Sequence, residues 1–314
     1  MEFLRLLEAV RTPAVTAFMA AITYMGDETV FMMLAITMFW CVSKRQGYYV
    51  FAVGLGGTVV NQWLKLIFRV PRPWVLDPEF TIVESARAAA TGYSFPSGHT
   101  QNIVGTLGCI AVANRQRWLR VCCGVLIVLV PFSRMYLGVH TPLDVGVAFA
   151  CAVVLVIALW RCFRDEEAFH KTARAVLCAL LCLSAAYAVW VNVTAFPADV
   201  DAENLRHGMK NGWTLLGCAL GLCVSYYVDE KKLHFDTKAP LPGQLCKLAL
   251  GLALLVGIRA GLKPVLSAPF QDAADHPVLY LMVTSGLRYF LMVVFAGCVW
   301  PLTFPYFAKL GAKK

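Results

Sequence analysis

The chain has 314 residues, of which 59% are hydrophobic and 15% are charged, and its formal net charge is +9. A soluble domain is roughly 45–50% apolar and about 25% charged, so this composition excludes a soluble protein and predicts one integral membrane domain over residues 1–314. The positive charge does not indicate a nucleic-acid partner. The cations lie in short loops between apolar segments and form no Lys/Arg-rich tract with interleaved aromatic residues.

The N-terminal segment, residues 1–27, is predicted to form an amphipathic helix that lies at the membrane surface. Apolar residues such as Leu4, Leu7 and Val10 recur at helical spacing between charged residues, and Pro13 is expected to break the helix. A helix that is partly buried against the rest of the protein explains the same pattern equally well.

Nine apolar segments follow, and each is predicted to cross the membrane as a helix. About 20 apolar residues span a bilayer, and fewer suffice in a helix buried among neighbours. The predicted spans are 28–43, 47–70, 97–114, 118–135, 141–162, 173–194, 211–228, 245–263 and 279–301. The fold class is therefore expected to be all-α, a polytopic bundle of about nine transmembrane helices.

The loops between these spans alternate in charge. Basic residues cluster at 44–45, 115–120, 161–174, 231–247 and 309–314, whereas acidic residues cluster at 77–84, 199–203 and 272–275. The positive-inside rule predicts that the basic loops and the C-terminus are cytoplasmic and that the N-terminus is extracytoplasmic. The compact loops fit a bacterial plasma membrane, although a protein of the endoplasmic reticulum would have a similar sequence.

Most of the 12 cysteines lie inside apolar segments, where cysteine behaves as a small hydrophobic residue. None of them forms a CxxC pair with a nearby histidine. We therefore expect neither a disulfide framework nor a metal site.

Three polar clusters stand at span ends that the predicted orientation places on the extracytoplasmic side. They are Lys65 with Arg72 and Pro73, the stretch from Tyr93 to Thr100, and Ser133 with Arg134, His140 and Asp144. An accidental arrangement would scatter such clusters over both faces. Because ionisable residues at membrane depth indicate function by default, we expect the three clusters to form one site.

The first cluster supplies two cations. Lys65 and Arg72 are seven residues apart, about two helical turns, so they share one face if the helix continues. Lysine offers a point charge and arginine offers a planar fork, and both suit phosphate oxygens. Taken alone, Lys65 would be interpreted as a lysine that snorkels to the membrane surface.

The second cluster places a helix N-terminus after a proline. Pro96 suits the start of the third span, and the free amide groups of Ser97, Gly98 and His99 would then point out of the helix as an anion site. Gly98 permits close approach of the backbone, and Ser97 adds a hydroxyl donor. As a lone tetrapeptide this signal is weak.

The third cluster pairs a histidine with a carboxylate. His140 and Asp144 are four residues apart and would lie on one helical face, with Arg134 near the outer end of the preceding span. A carboxylate bonded to one imidazole nitrogen leaves the other nitrogen available as nucleophile or base. The alternative is a histidine in a hydrated loop and an aspartate that caps the fifth span.

Together, the sequences Lys65-x6-Arg72-Pro73, Pro96-Ser97-Gly98-His99 and Ser133-Arg134-x5-His140-x3-Asp144 resemble the complete three-part signature of the type 2 phosphatidic acid phosphatase (PAP2) superfamily. The superfamily includes lipid phosphate phosphatases, sphingosine-phosphate phosphatases, glucose-6-phosphatase and the vanadium haloperoxidases. The resemblance implies a catalytic core over residues 28–162 and accessory transmembrane helices over residues 163–314. The nine-span layout is similar to glucose-6-phosphatase and the sphingosine-phosphate phosphatases.

The resemblance also implies a role for each signature residue. His140 would attack phosphorus and form a phosphohistidine, Asp144 would orient His140, and His99 would protonate the leaving oxygen and then activate water. The phosphoryl oxygens would be bound by Lys65, Arg72, Ser97, Gly98 and Arg134. The phosphatases of this family require no metal or other cofactor, and three fixed cations would supply the charge stabilisation that phosphoryl transfer needs.

Six polar or aromatic residues of the second half are further candidates for contact with substrate or for packing. They are Trp190, Asn192, Asn211, Trp213, Arg259 and Arg288. The two arginines stand within apolar segments, where each would face a polar cavity, pair with a partner or snorkel.

The resemblance predicts a metal-independent membrane phosphatase for a lipid phosphate monoester or pyrophosphate. A site at the ends of spanning helices would let the lipid tail stay in the bilayer while the headgroup enters. A sugar phosphatase like glucose-6-phosphatase and a lipid phosphotransferase would use the same residues. A non-enzymatic lipid binder is disfavoured because no residue of the signature is missing. The sequence does not fix the oligomeric state.

Overall fold

The computed structural model of the chain describes residues 1–270 and 276–311, and within those ranges every regular element is helical. The α-helices are α1 (Glu2–Ala9), α2 (Pro13–Thr23), α3 (Glu28–Thr37), α4 (Lys44–Phe68), α5 (Pro73–Leu76), α6 (Gly98–Ala113), α7 (Arg117–Tyr136), α8 (Pro142–Phe163), α9 (Glu166–Val193), α10 (Ala202–Val228), α11 (Leu241–Ser267), α12 (Pro277–Leu281), α13 (Arg288–Val294) and α14 (Phe304–Lys309). The prediction of an all-α fold is confirmed for these residues. The acidic loop predicted at 272–275 and the end of the basic tail at 312–314 lie outside them.

Six helical segments of the described chain are long and apolar enough to cross a membrane. They are Lys44–Leu76, Arg117–Tyr136, Pro142–Phe163, Glu166–Val193, Leu241–Ser267 and Pro277–Lys309. The pair Pro13–Gly26 and Glu28–Val42, bent by 50°, would make a seventh span if it is counted as one. The two other predicted spans, 97–114 and 211–228, correspond to α6, which has 16 residues, and to part of α10. The count of nine stays a prediction.

The described chain divides into two compact units. The first comprises Met1–Ala35, Tyr49–Arg164 and Phe196–Gly208, and the second comprises Ile36–Tyr48, Asp165–Ala195 and Met209–Lys314. The domain boundaries predicted after residues 27 and 162 stay predictions.

Local signals explain where the helices of the first unit begin. Thr12 caps α2, Ser97 caps α6 and Thr141 caps α8, each by accepting a hydrogen bond from a backbone amide in the first helical turn. Proline occupies the first position of α2 and α8, where its missing N–H removes no helical hydrogen bond. These caps fix the two helix starts, α6 and α8, that carry the second and third polar clusters.

The first unit is built around α6, which packs against both α7 and α8. Small residues allow the close approach, as expected for helices in a membrane. A Cβ added at Gly108 would lie 3.1 Å from Val156 of α8, and one added at Gly105 would lie 3.2 Å from Val53 of α4. The N-terminal turn of α6 is therefore held at a fixed place among its neighbours.

The N-terminal segment, residues 1–27, belongs to the first unit and packs against the loop after α5. Leu4 is completely buried beside Phe80 and Ile82 of the loop after α5. Arg5 forms an ion pair of 2.5 Å with Asp77 of the same loop. The segment breaks before Pro13, as predicted, and these contacts agree with a partly buried packing helix. A location at the membrane surface stays a prediction.

The second unit contains α9, α10 from Met209 onward, α11 to α14 and an aromatic cluster. Edge-on ring contacts join Phe39 to Tyr48 and to Phe235, and the ammonium group of Lys247 lies 4.4 Å from the ring centre of Phe304. Of the six candidates predicted in the second half, Arg259 is exposed and Arg288 is buried, and the others are partly buried. All six residues lie in the second unit, whereas the signature residues lie in the first. Their role as substrate contacts therefore stays a prediction.

Candidate active site

The three polar clusters meet in the first unit. Arg72 of the first cluster contacts His140 of the third, and the Ser97 amide of the second donates a 3.1 Å hydrogen bond to the Asp144 carbonyl. The ammonium group of Lys65 donates to the Tyr93 carbonyl, just before the second cluster. The structure therefore brings the three clusters together by direct contacts.

The site is buried on most sides and accessible at the start of α6. Six signature residues have at most 9% of their surface exposed, namely Lys65, Arg72, Ser97, Arg134, His140 and Asp144. Gly98 and His99, the first two residues of α6, are partly exposed. A small anion would therefore reach the buried cations past the N-terminus of this helix.

His140 and Asp144 form the predicted pair. The His140 Nδ1 atom lies 3.5 Å from Oδ2 of Asp144, and Nη1 of Arg72 lies 3.0 Å from Nε2. An arginine only donates hydrogen bonds, so this geometry favours the tautomer with the proton on Nδ1 and the lone pair on Nε2. Burial first, and then the positive charge of Arg72, holds the pKa of His140 well below its usual value.

Asp144 is fixed by two strong donors. Its Oδ2 atom accepts a 2.6 Å hydrogen bond from the Ser94 hydroxyl and a 2.7 Å bond from the Thr141 amide. The Thr141 side chain in turn accepts from the Asp144 amide, which completes a capping box at the start of α8. Asp144 thus caps α8 and also faces His140. The role as a helix cap and the role as partner of the histidine are compatible.

Arg72 is held by the backbone of two loops. Its Nε atom donates to the Gly92 carbonyl at 3.0 Å, and Nη2 donates to the Thr91 carbonyl at 2.8 Å. Nη1 donates to the Val139 carbonyl at 3.0 Å as well as facing His140. The guanidinium is therefore rigidly placed with one edge on His140.

Lys65 is buried rather than snorkelling. Its exposed fraction is 9%, and its ammonium group bonds to the Tyr93 carbonyl. Interpreting Lys65 on its own as a lysine that snorkels to the membrane surface is therefore wrong. The loop that follows α5 covers the C-terminal end of α4, where Lys65 lies.

The N-terminus of α6 differs in two details from the prediction. The helix begins at Gly98 with Ser97 as its cap, so Pro96 is not its first residue. The Ser97 amide is not free, because it donates to the Asp144 carbonyl, while the Ser97 Oγ atom accepts from Thr100. The amides of Gly98 and His99 have no hydrogen-bond acceptor within the described chain. These two N–H groups, rather than three, remain available to an anion.

Two glycines shape the space around His99. A Cβ added at Gly98 would meet no atom within 4 Å, so the space in front of this residue is open. A Cβ added at Gly26 would lie 3.0 Å from both Cβ and O of His99. The turn after α2 therefore packs directly against the backbone of His99.

Three contacts of the site were not predicted from the sequence. Ser94 belongs to the second cluster but carries no signal that assigns it to Asp144. Thr141 has a signal, since Thr-x-x-Asp before an apolar run is a capping-box pattern. Thr23 accepts a 2.8 Å hydrogen bond from Nη1 of Arg134, and no local pattern links residues so far apart.

No three His, Cys, Asp or Glu side chains of the described residues are grouped so that they could hold a metal ion. The cysteines of the chain are all free thiols.

Comparison with known proteins points to one family. A model of the PAP2 superfamily matches residues 45–168, and a model described as the PAP2 superfamily phosphatase transmembrane extension matches residues 213–313. The first match contains every signature residue, and the second lies entirely within the second unit.

Three curated relatives share part of the chain. Undecaprenyl-diphosphatase BcrC of Bacillus subtilis is 30% identical over 131 residues, which are 41% of this chain and 64% of that protein. Phosphatidylglycerophosphatase B of Bacillus subtilis is 26% identical over 46% of this chain and 74% of its own length. Undecaprenyl-diphosphatase of Sulfolobus acidocaldarius is 44% identical over 18% of this chain and 26% of its own length. The chain thus spans less than two thirds of the first relative. No solved structure matches it.

Proposed function

The chain belongs to the PAP2 superfamily, and on this premise we propose that it is a membrane phosphatase that hydrolyses a lipid phosphate monoester or pyrophosphate through a phosphohistidine. The observation that carries the proposal is the position of His140. Its Nδ1 faces a fixed carboxylate, and its Nε2 faces a guanidinium edge that suits a phosphoryl oxygen.

In the first step, Nε2 of His140 attacks phosphorus, a P–N bond forms and the P–O bond to the lipid breaks. The leaving oxygen takes a proton from His99, and the positive charge that develops on the imidazole is stabilised by Asp144. Arg72 exchanges its contact with Nε2 for one with a phosphoryl oxygen. Lys65, Arg134, the Ser97 hydroxyl and the amide of Gly98 bind the remaining charge.

In the second step, water attacks the phosphohistidine and gives a proton to His99. The P–N bond breaks, inorganic phosphate leaves, and His140 returns to its starting tautomer. Lys65, Arg72 and Arg134 already supply the charge that a metal ion supplies in other phosphoryl-transfer sites, which supports a metal-independent reaction.

The substrate class is supported by the relatives, whose names identify lipid phosphates and lipid pyrophosphates. We place the site at the extracytoplasmic face of a bacterial plasma membrane, with the C-terminus in the cytoplasm, from the charge of the loops. We further propose that the chain crosses the membrane nine times. The bent pair, α6 and α10 would join the six longer segments, because a helix buried in a bundle can be shorter or more polar than an isolated span.

The test is phosphate release by the purified chain in EDTA. The panel comprises phosphatidate, a sphingoid-base phosphate, phosphatidylglycerophosphate, undecaprenyl pyrophosphate and glucose 6-phosphate. Much faster release from one lipid than from the others would support the proposal and name the substrate. Release from glucose 6-phosphate alone would replace it with a sugar phosphatase, and transfer of the phosphoryl group to an added lipid alcohol in preference to water would replace it with a phosphotransferase.

A further inference from the structure

Of the two signature arginines, Arg134 has fewer hydrogen bonds to the protein than Arg72. Its side chain is completely buried, and Nη1 donates a 2.8 Å hydrogen bond to the hydroxyl oxygen of Thr23. Its Nε and Nη2 atoms have no hydrogen-bond partner among the residues that the structure describes. Buried donors on a charged group are costly to leave unpaired, so these two atoms point to an anionic ligand.

Arg72 and Arg134 differ in how many of their guanidinium nitrogens are already bonded to the protein. All three nitrogens of Arg72 donate to backbone carbonyls. In Arg134 the pair Nε and Nη2 forms one edge of the guanidinium, and this edge binds two oxygens of a phosphate side by side. Arg134 can therefore offer two parallel hydrogen bonds without first giving up a protein partner.

The partner of Nη1 is neutral. A carboxylate in the place of Thr23 would hold the guanidinium but would also compete with a phosphate for it. The carboxylate of Asp27 acts on Arg134 through its charge, but its Oδ1 atom accepts a 2.8 Å hydrogen bond from the Thr29 amide. A hydroxyl acceptor thus fixes the orientation of Arg134 and leaves its charge for the ligand.

Thr23 reaches the site through the N-terminal segment. It is the last residue of α2, and the turn that follows packs Gly26 against His99. The Asn102 side chain of α6 donates to the Gly26 carbonyl at 3.4 Å. Residue 23 lies outside the part of the chain that matches the PAP2 model, residues 45–168.

We propose that Thr23 is a positioning residue, which aims the free edge of Arg134 at the phosphoryl group of the substrate. The N-terminal segment is then part of the active site rather than a peripheral membrane anchor. This inference rests on the proposed function, and it concerns phosphate affinity rather than the chemical step.

The first test is binding of inorganic phosphate, read from the shift in melting temperature of the purified chain as phosphate is added. Thr23→Val keeps the shape of the side chain and removes its acceptor, so the phosphate dissociation constant should rise roughly tenfold, the cost expected for a lost hydrogen bond to a charged group. Thr23→Ser should restore affinity to within about twofold. Thr16→Val is the matched control, since Thr16 is on the same helix and contacts Tyr136 instead.

The second test is a double-mutant cycle on kcat/KM for a lipid phosphate. Thr23→Val should lower kcat/KM roughly tenfold in the wild type and hardly at all in an Arg134→Gln background, because its effect passes through Arg134. Equal losses in both backgrounds would reduce Thr23 to a packing residue and overturn the inference. Unchanged phosphate affinity in Thr23→Val would also overturn it, and Thr23→Ala gives the same decision if the valine variant does not fold.

The two proposals fail in different ways. A wild-type chain that binds phosphate but releases none from any substrate would contradict the proposed function, and the binding comparison would still decide the role of Thr23. A wild-type chain that is active and a Thr23→Val variant that matches it would contradict only the inference.

Discussion

Ser94 donates a 2.6 Å hydrogen bond to Oδ2 of Asp144, the same oxygen that faces Nδ1 of His140. Both Ser94 and Asp144 are almost completely buried. The hydroxyl therefore fixes the carboxylate that in turn fixes the tautomer of the proposed nucleophile, and a short polar chain runs from the loop before α6 to the reacting nitrogen.

The first prediction concerns this contact. Ser94→Ala should lower kcat roughly 10- to 100-fold with little change in KM, because a hydrogen bond to a charged group contributes roughly 1.5–3 kcal/mol and acts here on the nucleophile rather than on the ligand. Steady-state kinetics on a lipid phosphate measures both constants. Ser133→Ala is the matched control, since that buried hydroxyl bonds the Val130 carbonyl. Equal kcat in the wild type and Ser94→Ala would show that Thr141 alone holds Asp144.

The second prediction concerns pH. Burial and the charge of Arg72 hold the pKa of His140 well below its ordinary value of about 6.5, so His140 stays neutral and nucleophilic as the pH falls below that value. Arg72→Gln removes a positive charge and should raise this pKa, which moves the acid limb of kcat/KM to higher pH. Substrate ionisation affects both proteins equally and cancels in the comparison. A limb that stays in place, or moves to lower pH, would contradict the assignment of His140.

The third prediction uses the open space at Gly98. Gly98→Ala meets no atom within 4 Å and should fold with unchanged stability, but its methyl group enters the space in front of the α6 amides. We expect KM to rise several-fold while the melting temperature stays constant. Gly124→Ala on α7 also meets nothing within 4 Å and serves as the control. An unchanged KM would place the phosphoryl group away from this helix N-terminus.

The fourth prediction concerns the close packing of Gly26. A Cβ at this position would lie 2.8 Å from Cγ1 of Val130 and 3.0 Å from the carbonyl oxygen of His99. Since that backbone atom belongs to the first turn of α6, Gly26→Ala should destabilise the protein by about 1–3 kcal/mol and displace His99, so kcat should fall as well. Denaturation and kinetics on the same preparation measure both effects. Wild-type stability would mean that the turn after α2 is free to move.

The sequence predicts much of this site because its signals are local. The order and spacing of Lys65, Arg72, Ser97, His140 and Asp144 suffice to indicate a phosphate site, and the structure joins these clusters by direct contacts. Spacing does not show that the chain between α5 and α6 closes over Lys65, which makes this lysine a buried cation instead of a membrane anchor.

The contributions of Thr23 and Ser94 depend on tertiary structure. Thr23 is 111 positions from Arg134, and a threonine at the end of an apolar helix has no pattern that distinguishes it from a packing residue. Hydropathy alone does not determine the number of spans for a related reason. Hydropathy reflects how favourably a segment transfers into lipid, whereas α6 packs against α7 and α8, and a helix buried among neighbours can be shorter than an isolated span.

The most direct test of the central claim is to trap the phosphorylated protein. The chain is mixed with a lipid phosphate labelled in its phosphoryl group and quenched in alkali, which preserves a phosphohistidine. With a lipid pyrophosphate, whose phosphate leaving group needs little protonation, His99→Asn should accumulate the label because hydrolysis of the intermediate loses its base, and the labelled peptide should contain residue 140. His140→Asn should carry no label and release no phosphate. Label that persists in His140→Asn, or full turnover by that variant, would contradict the mechanism.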